Sequence, residues 1–319
     1  MKCLVTGGAG FIGSHLVESL LSDGHHVTVI DDLSTGQIKN LDEVITNPKL
    51  EFIKGDILNL PELEYLVEKS DIVYHLAAAV GVELVVSDPV KTIVTNVHGT
   101  ENILKGAARK GTRVLIASTS EVYGKSEKEI FSEDNDLLIG PSTHSRWSYA
   151  CSKLLDEFYS MAYYRSIKLP IVVARFFNTV GPKQTGRYGM VIPRFVKNAL
   201  EGTDLNVYGT GEQTRCFTHV HDSIKAIKLL AESDISGEVF NVGSENNISI
   251  NELAAQIIRL LNSKSKIKHI SYDEAYEEGF EDMLHRYPDI SKIQKSFDWK
   301  PTYSLNNIIN DVADYYRAQ

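Results

Sequence analysis

Short, almost wholly apolar runs recur along the first half of the chain, at Lys2–Thr6, His26–Ile30, Leu50–Ile53, Ile72–Leu76, Arg113–Ala117 and Ile171–Ala174. Apolar residues without alternation are the pattern of strands covered on both faces, and the helix-like segments between them supply the cover. The alternation predicts an α/β fold, a Rossmann-type doubly wound parallel sheet. Right-handed crossovers would then gather the C-terminal ends of the strands, and any ligand, along one edge. After residue 176 the rhythm lapses through the Gly-, Pro-, Arg- and aromatic-rich Asn178–Arg194, resumes in a strand-like Glu238–Gly243, and closes in a helix-like Leu305–Arg317. The expected division is a sheet domain, residues 1–177 with 218–245, and a smaller C-terminal substrate-binding domain, residues 178–217 with 246–319.

A chain of 319 residues with 43% hydrophobic and 24% charged residues can bury one large core or two unequal ones. Its formal net charge of −9 gives no support to nucleic-acid or anionic-membrane binding, so an anionic substrate must be held by local cations. Three scattered cysteines, Cys3, Cys151 and Cys216, form neither a disulfide framework nor a CxxC metal site. The chain opens directly into a strand-like run and holds no 18-residue apolar stretch. A cytoplasmic protein, neither exported nor inserted in a membrane, is expected.

Gly7, Gly10 and Gly13 stand at GxxGxxG spacing between a strand and an amphipathic helix that carries Phe11, Ile12, Leu16, Leu20 and Leu21 on one side. Glycines there permit a tight turn and close backbone approach to a pyrophosphate, which a helix N-terminus favours electrostatically. Asp31, beside Asp32, ends the second strand, where a carboxylate accepts from ribose hydroxyls and repels a 2′-phosphate, so NAD is expected over NADP. Asp56-Ile57 after the third strand and Leu76-Ala77-Ala78 after the fourth suit adenine contact and close nucleotide approach.

Tyr149 and Lys153 lie at i, i+4 on one helix face. An ammonium beside the phenol favours the phenolate; lowering a tyrosine from about 10 to about 7 takes roughly 4 kcal/mol. Such a phenolate is a general base for an alcohol whose hydride leaves for a nicotinamide. The fifth strand ends in Ser118-Thr119-Ser120-Glu121-Val122-Tyr123-Gly124, delivering hydroxyls and a carboxylate to the same edge.

With TGGAGFIGSH, Asp31–Gly36, Gly55-Asp56, Leu76–Ala78, Asn96, STSEVYG, YACSK, Arg175–Asn178 and Gly211–Arg215, the chain resembles the extended short-chain dehydrogenase/reductase family over almost its whole length. Within that family it is similar to the NAD-dependent nucleotide-sugar epimerases, dehydratases and decarboxylases. The resemblance implies a tightly held, recycled NAD, touched also by Asn96, and a homodimer. It implies that Thr119 bonds the reacting sugar oxygen, that Tyr149 is the base and that Lys153 binds the ribose. It places Asn178, Arg215 and Arg286 on a substrate diphosphate, guanidinium forks matching phosphate oxygens bidentately. It sets Leu205–Tyr208 at the edge of a uracil, and Ser120, Val191 and Tyr208 are further candidates for substrate binding.

Oxidation at sugar C4 is common to this branch, and the residues beside Thr119 separate its members. In the dTDP-glucose 4,6-dehydratases an Asp-Glu pair follows the threonine; here Ser120 replaces the Asp, while Glu121 keeps GDP-mannose dehydratases and UDP-glucuronate decarboxylases in view. The segment Ala150–Leu154 lacks the decarboxylases' Asp-Glu-Gly-Lys-Arg pattern. The segment Asn178–Val196 is closer to UDP-glucuronate and UDP-glucose 4-epimerases, with Arg187 a candidate for a C6 carboxylate and Arg146-Trp147 for shaping the sugar pocket. The expectation is therefore a UDP-sugar 4-epimerase that returns hydride to the opposite face. UDP-glucuronate decarboxylation and 4,6-dehydration are the alternatives. A dinucleotide-binding regulator without turnover is disfavoured by the intact Thr119, Tyr149 and Lys153. His219 and His221 have no Cys/His partners nearby in sequence and are expected to be structural, with no metal.

Overall fold

The structure, a computed structural model, describes residues 1–81, 88–186, 190–271, 283 and 285–319. Seven parallel strands form the central sheet: β1 (Lys2–Thr6), β2 (His26–Asp31), β3 (Leu50–Lys54), β4 (Ile72–His75), β5 (Arg113–Thr119), β6 (Ile171–Phe176) and β7 (Glu238–Val242). Their order is β7-β6-β5-β4-β1-β2-β3. The chain thus starts mid-sheet and winds outward both ways, leaving its switch point between β1 and β4. The helices are α1 (Phe11–Ser22), α2 (Leu63–Lys69), α3 (Pro89–Lys110), α4 (Ser148–Ile167), α5 (Val191–Glu201), α6 (Val220–Glu232), α7 (Ile250–Leu260), α8 (Ser291–Phe297) and α9 (Leu305–Arg317).

Successive strand residues feed opposite cores. Cys3, Val5, Leu115, Val172 and Ala174 pack with α1 and α6 through Leu16, Leu20, Ile227 and Leu230. Leu4, Val114, Ile116, Ile171 and Val173 pack with α2 and α3 through Val67, Ile103 and Leu104. This two-faced burial is why the strands read as continuous apolar runs. Ile290, Ile293 and Trp299, from the C-terminal segment around α8, join the first of these cores.

A third core lies between α5, α7 and α9, built on Phe195, Val196, Leu253, Ile257, Ile309 and Val312. It also takes Leu205 and Val207 of a short strand, Leu205–Tyr208, that pairs in parallel with Ile267–Ile270. Capping boxes start α7 (Ser249 with Glu252) and α9 (Ser304 with Asn307). Buried Asp222 of α6 clasps the approach to α9, accepting from Thr302 N (2.9 Å), Thr302 Oγ1 (2.8 Å) and Tyr303 N (3.0 Å). No helix among the described residues is long and apolar enough to cross a membrane. All three cysteines are free; burial pushes the Cys3 and Cys216 thiols up to about 12, while Cys151 is exposed.

Candidate active site

The C-terminal strand ends open into one cavity of about 790 Å³ that runs from the Gly7–Gly13 turn across to the α5, α7 and Arg286 side. At the cofactor end its shape is set by backbone. Gly7 has φ +72°, and a Cβ there would sit 2.8 Å from Ala77 N; one on Gly13 would sit 2.1 Å from Gly7 O. Only glycine lets β1, the turn and the loop after β4 close to this distance. The space so kept, at the N-terminus of α1, is the cradle a pyrophosphate requires.

Asp31 is buried and staples this cradle: Oδ2 accepts from Ala9 N (2.9 Å) and Oδ1 from Leu33 N (2.8 Å). Burial raises its pKa, and the two amides oppose the rise. Phe11, Ile12, Asp32, Asp56 and Ile57 line the same end, as do Leu76, Ala77 and Ala78. Asn96, expected at the cofactor, is not among the residues that line the cavity. It lies behind the loop, Oδ1 accepting from Ala79 N (2.8 Å) and Nδ2 donating to Ser152 Oγ (3.0 Å), so it shapes the wall from within.

At the reacting end Thr119, Ser120, Glu121, Tyr149 and Lys153 line the cavity together. The Thr119 hydroxyl is hydrogen-bonded to Tyr149, and Thr119 Oγ1 also accepts from Glu121 N (3.2 Å). Burial pushes the Tyr149 phenol up, the Glu121 and Asp156 carboxylates add to the rise, and the Thr119 bond opposes it. The Lys153 ammonium is not spent on Tyr149: Nζ donates to Asp156 Oδ2 at 2.7 Å.

Glu121 is clamped between guanidiniums. Arg146 Nη1, from the turn before α4, donates to Oε2, and Arg286 Nη2 donates to Oε1 at 2.5 Å. Burial would raise the Glu121 pKa, but the two cations overcome it and hold it at about 2. Arg146 was expected, with Trp147, to shape the sugar pocket; its partner Glu121, 25 residues upstream, could not be read from spacing.

Underneath, Arg175 forks onto Glu157 (Nε to Oε1 2.9 Å, Nη2 to Oε2 2.7 Å), and Ser118 Oγ donates to the same Oε1 at 2.5 Å. The pair fixes α4 to β6, and the Ser118 bond fixes it to the end of β5. Asn178, Val191, Tyr208, Arg215 and Arg286 complete the far wall. Asn178 Nδ2 donates to Cys216 O (3.0 Å), and Arg215 Nη1 to Thr214 O (2.8 Å). The Arg194 guanidinium lies 4.3 Å from the Tyr208 ring centre; it and Lys183 line the wall and carried no sequence signal. Arg187 lies outside the described residues. His219 Nδ1 accepts from His221 N at the start of α6, and its ring stacks on Tyr303 at 4.0 Å.

A nucleotide-shaped cradle at a sheet switch point, with a hydroxyl, a phenol and a lysine beside it, defines a nicotinamide-dependent enzyme acting on an alcohol carbon. A family model described as GDP-mannose 4,6 dehydratase matches residues 4–312, and the chain belongs to that family, among the extended short-chain dehydrogenase/reductase enzymes of nucleotide sugars. NAD is the cofactor of this family.

The chain is 42% identical over 317 residues to a UDP-N-acetyl-alpha-D-glucosaminuronate decarboxylase of Bacillus cytotoxicus, covering 99% of this chain and 98% of that one. It is 37% identical over 318 residues to UDP-glucuronic acid decarboxylase 1 of Xenopus tropicalis, covering 100% of this chain and 72% of that one. Among solved structures, UDP-glucuronic acid 4-epimerase of Bacillus cereus, in complex with UDP-glucuronic acid and NAD, matches with TM-score 0.88 and 31% identity over 100% and 99% of the two chains. NAD-bound dTDP-glucose 4,6-dehydratase of Bacillus anthracis matches with TM-score 0.87 and 29% identity over 100% and 97%.

These relatives overturn the expected 4-epimerase in favour of decarboxylation. The structure supplies the physical reason the sequence misled. Ala150, Cys151, Ser152 and Leu154, whose mismatch spoke against a decarboxylase, do not line the cavity. Ala150 is buried, Cys151 faces out, Ser152 bonds Tyr149 O and Asn96, and Leu154 packs against the core around Tyr123 and Phe177. Residues that turn away from the sugar cannot select its fate.

Proposed function

We propose that the protein is an NAD-dependent decarboxylase of a UDP-linked uronate, UDP-glucuronate or its 2-acetamido analogue. The observation that carries this reading is the Glu121 clamp in the same cavity as Thr119 and Tyr149. Two guanidiniums and one carboxylate leave a net charge of 2 − 1 = +1 beside the reacting groups of an acidic protein, suited to a substrate that brings a carboxylate.

NAD, held by the Gly7–Gly13 turn and Asp31, would supply the acceptor and then the donor of the C4 hydride. Tyr149 accepts the O4 proton while the Thr119 hydroxyl holds O4. The resulting C4 ketone is β to the C6 carboxylate, so the C5–C6 bonding electrons can pass to the ketone oxygen as carbon dioxide leaves. Thr119 and the now protonated Tyr149 are the donors that stabilise that oxyanion. Protonation at C5 and return of hydride to C4 give a UDP-pentose with no net change in cofactor. Where the dTDP-glucose 4,6-dehydratases carry the acidic Asp, this chain has Ser120, a hydroxyl that offers no carboxylic proton for water loss.

Val90, Ile93 and Val94 on α3 and Leu155 and Phe158 on α4 are exposed on two helices that pack together, which supports the expected homodimer through this face. Incubation with each UDP-uronate, followed by NMR, tests the function. A UDP-pentose with one equivalent of carbon dioxide is expected, and a C4-inverted uronate as the product would overturn the proposal.

A further inference from the structure

Behind Lys153 lies a chain of buried polar groups that the reaction as described does not use. Asp156 is fully buried one helical turn after Lys153 and does not line the cavity, whereas Lys153 does. The Thr100 hydroxyl of α3 faces Asp156 and opposes the rise in its pKa that burial causes, while Asp156 Oδ1 has no hydrogen bond of normal geometry. Thr100 Oγ1 lies 3.1 Å from His75 Nε2, His75 Nδ1 lies 2.8 Å from Thr6 Oγ1, and Thr6 Oγ1 lies 3.3 Å from Ala77 N.

The Asp156 end and a neutral ring fix the order. With its single proton turned to the carboxylate that pairs with Lys153, Thr100 accepts from His75 Nε2–H, which leaves Nδ1 to accept from Thr6, whose oxygen also accepts from Ala77 N–H. Burial, with the nearby Lys153 ammonium, holds His75 down at about 3, so the ring is neutral, as this order requires. The chain therefore turns the Thr100 hydroxyl toward Asp156 from the loop that walls the cofactor cradle.

We propose that Asp156 is a positioning residue: anchored by Thr100 and His75, it holds the Lys153 ammonium inside the helix–sheet interior and thereby sets how readily Tyr149 gives up its proton. The groups facing Tyr149 are the Thr119 hydroxyl and the Glu121 carboxylate from the end of β5, the latter neutralised by Arg146 and Arg286, with Lys153 and Asp156 on its own helix. Those facing Asp156 are Lys153, Glu157 and Thr100. Of the two carboxylates that oppose the phenolate, Glu121 is bound by two cations and Asp156 by one.

The inference rests on Tyr149 being the base, so Tyr149→Phe is measured alongside. In Asp156→Asn the carboxylate is lost without change of shape and Lys153 is released toward the phenol. Both effects favour the phenolate. The acid limb of kcat/KM against pH is expected to move down by about one unit, a single charge at a partly desolvated site. NAD content should stay at the wild-type level. An unmoved limb, or loss of NAD with the limb in place, overturns the proposal. Turnover surviving in Tyr149→Phe would instead overturn the assignment of the base.

A second measurement does not depend on the variant folding. With 15N-labelled histidine in the wild-type protein, assigned through NOEs to Thr6 and Thr100, His75 should be neutral at pH 6 with its proton on Nε2. A proton on Nδ1, or a charged ring, breaks the chain and the proposal with it.

Discussion

The two ends of the cavity are built by opposite means. The cofactor end is backbone: a turn with Gly7 and Gly13 at its closest approaches, stapled by Asp31. The sugar end is side chain: Glu121, Arg146 and Arg286 come from three separate segments and mean nothing until the fold brings them together. A backbone cradle is tolerant of what lies around it and is shared by enzymes of several outcomes. A clamp of charges is specific, and the proposed function assigns the choice of outcome to it.

Removing the phenol strikes where the two ends meet. Tyr149→Phe is expected to lower kcat by roughly 10³-fold or more with NAD retained, the magnitude of a lost general base; NMR turnover with cofactor content checks it. Arg175→Met tests the support beneath the sugar end. It leaves Glu157 buried and unpaired, at a cost of about 3–5 kcal/mol in urea unfolding, and should loosen α4 before it disturbs the cradle.

Acid separates the ends without mutation. Glu121 has a folded pKa of about 2 against an ordinary 4.5, so its contribution, on the order of 3 kcal/mol, is present above pH 4.5 and is lost as pH falls from there through 2. Glu121→Gln should flatten that part of the stability curve, measured by thermal melting across the window. Smallest is Gly13→Ala, whose Cβ must displace Gly7 O from 2.1 Å. An overpacking cost of about 1–3 kcal/mol weakens NAD binding ten- to hundredfold by calorimetry, leaving the sugar-side charges in place.

The same contrast governs what could be read in advance. The strand starting at Ile72, expected to reach Leu76, ends at His75, and the helix expected over Leu305–Arg317 is found there, because periodicity and caps are local properties. The GxxGxxG turn is equally local. The Asn96 amide turns toward Ala79 and Ser152, a placement that a residue match does not reveal. The Arg146–Glu121–Arg286 clamp and the chain from Ala77 to Asp156 depend on separations of 25 to 165 residues, which carry no periodic trace.

Asp31 has a consequence for anyone wishing to re-engineer the coenzyme requirement. The usual route to a phosphorylated dinucleotide replaces this carboxylate with a neutral or basic group. Here the same two oxygens tether the amides of Ala9 and Leu33, so the exchange would discard a structural staple along with a selectivity element. A working swap therefore has to be a paired design, with a new acceptor for those amides introduced in the same step as the new binding group.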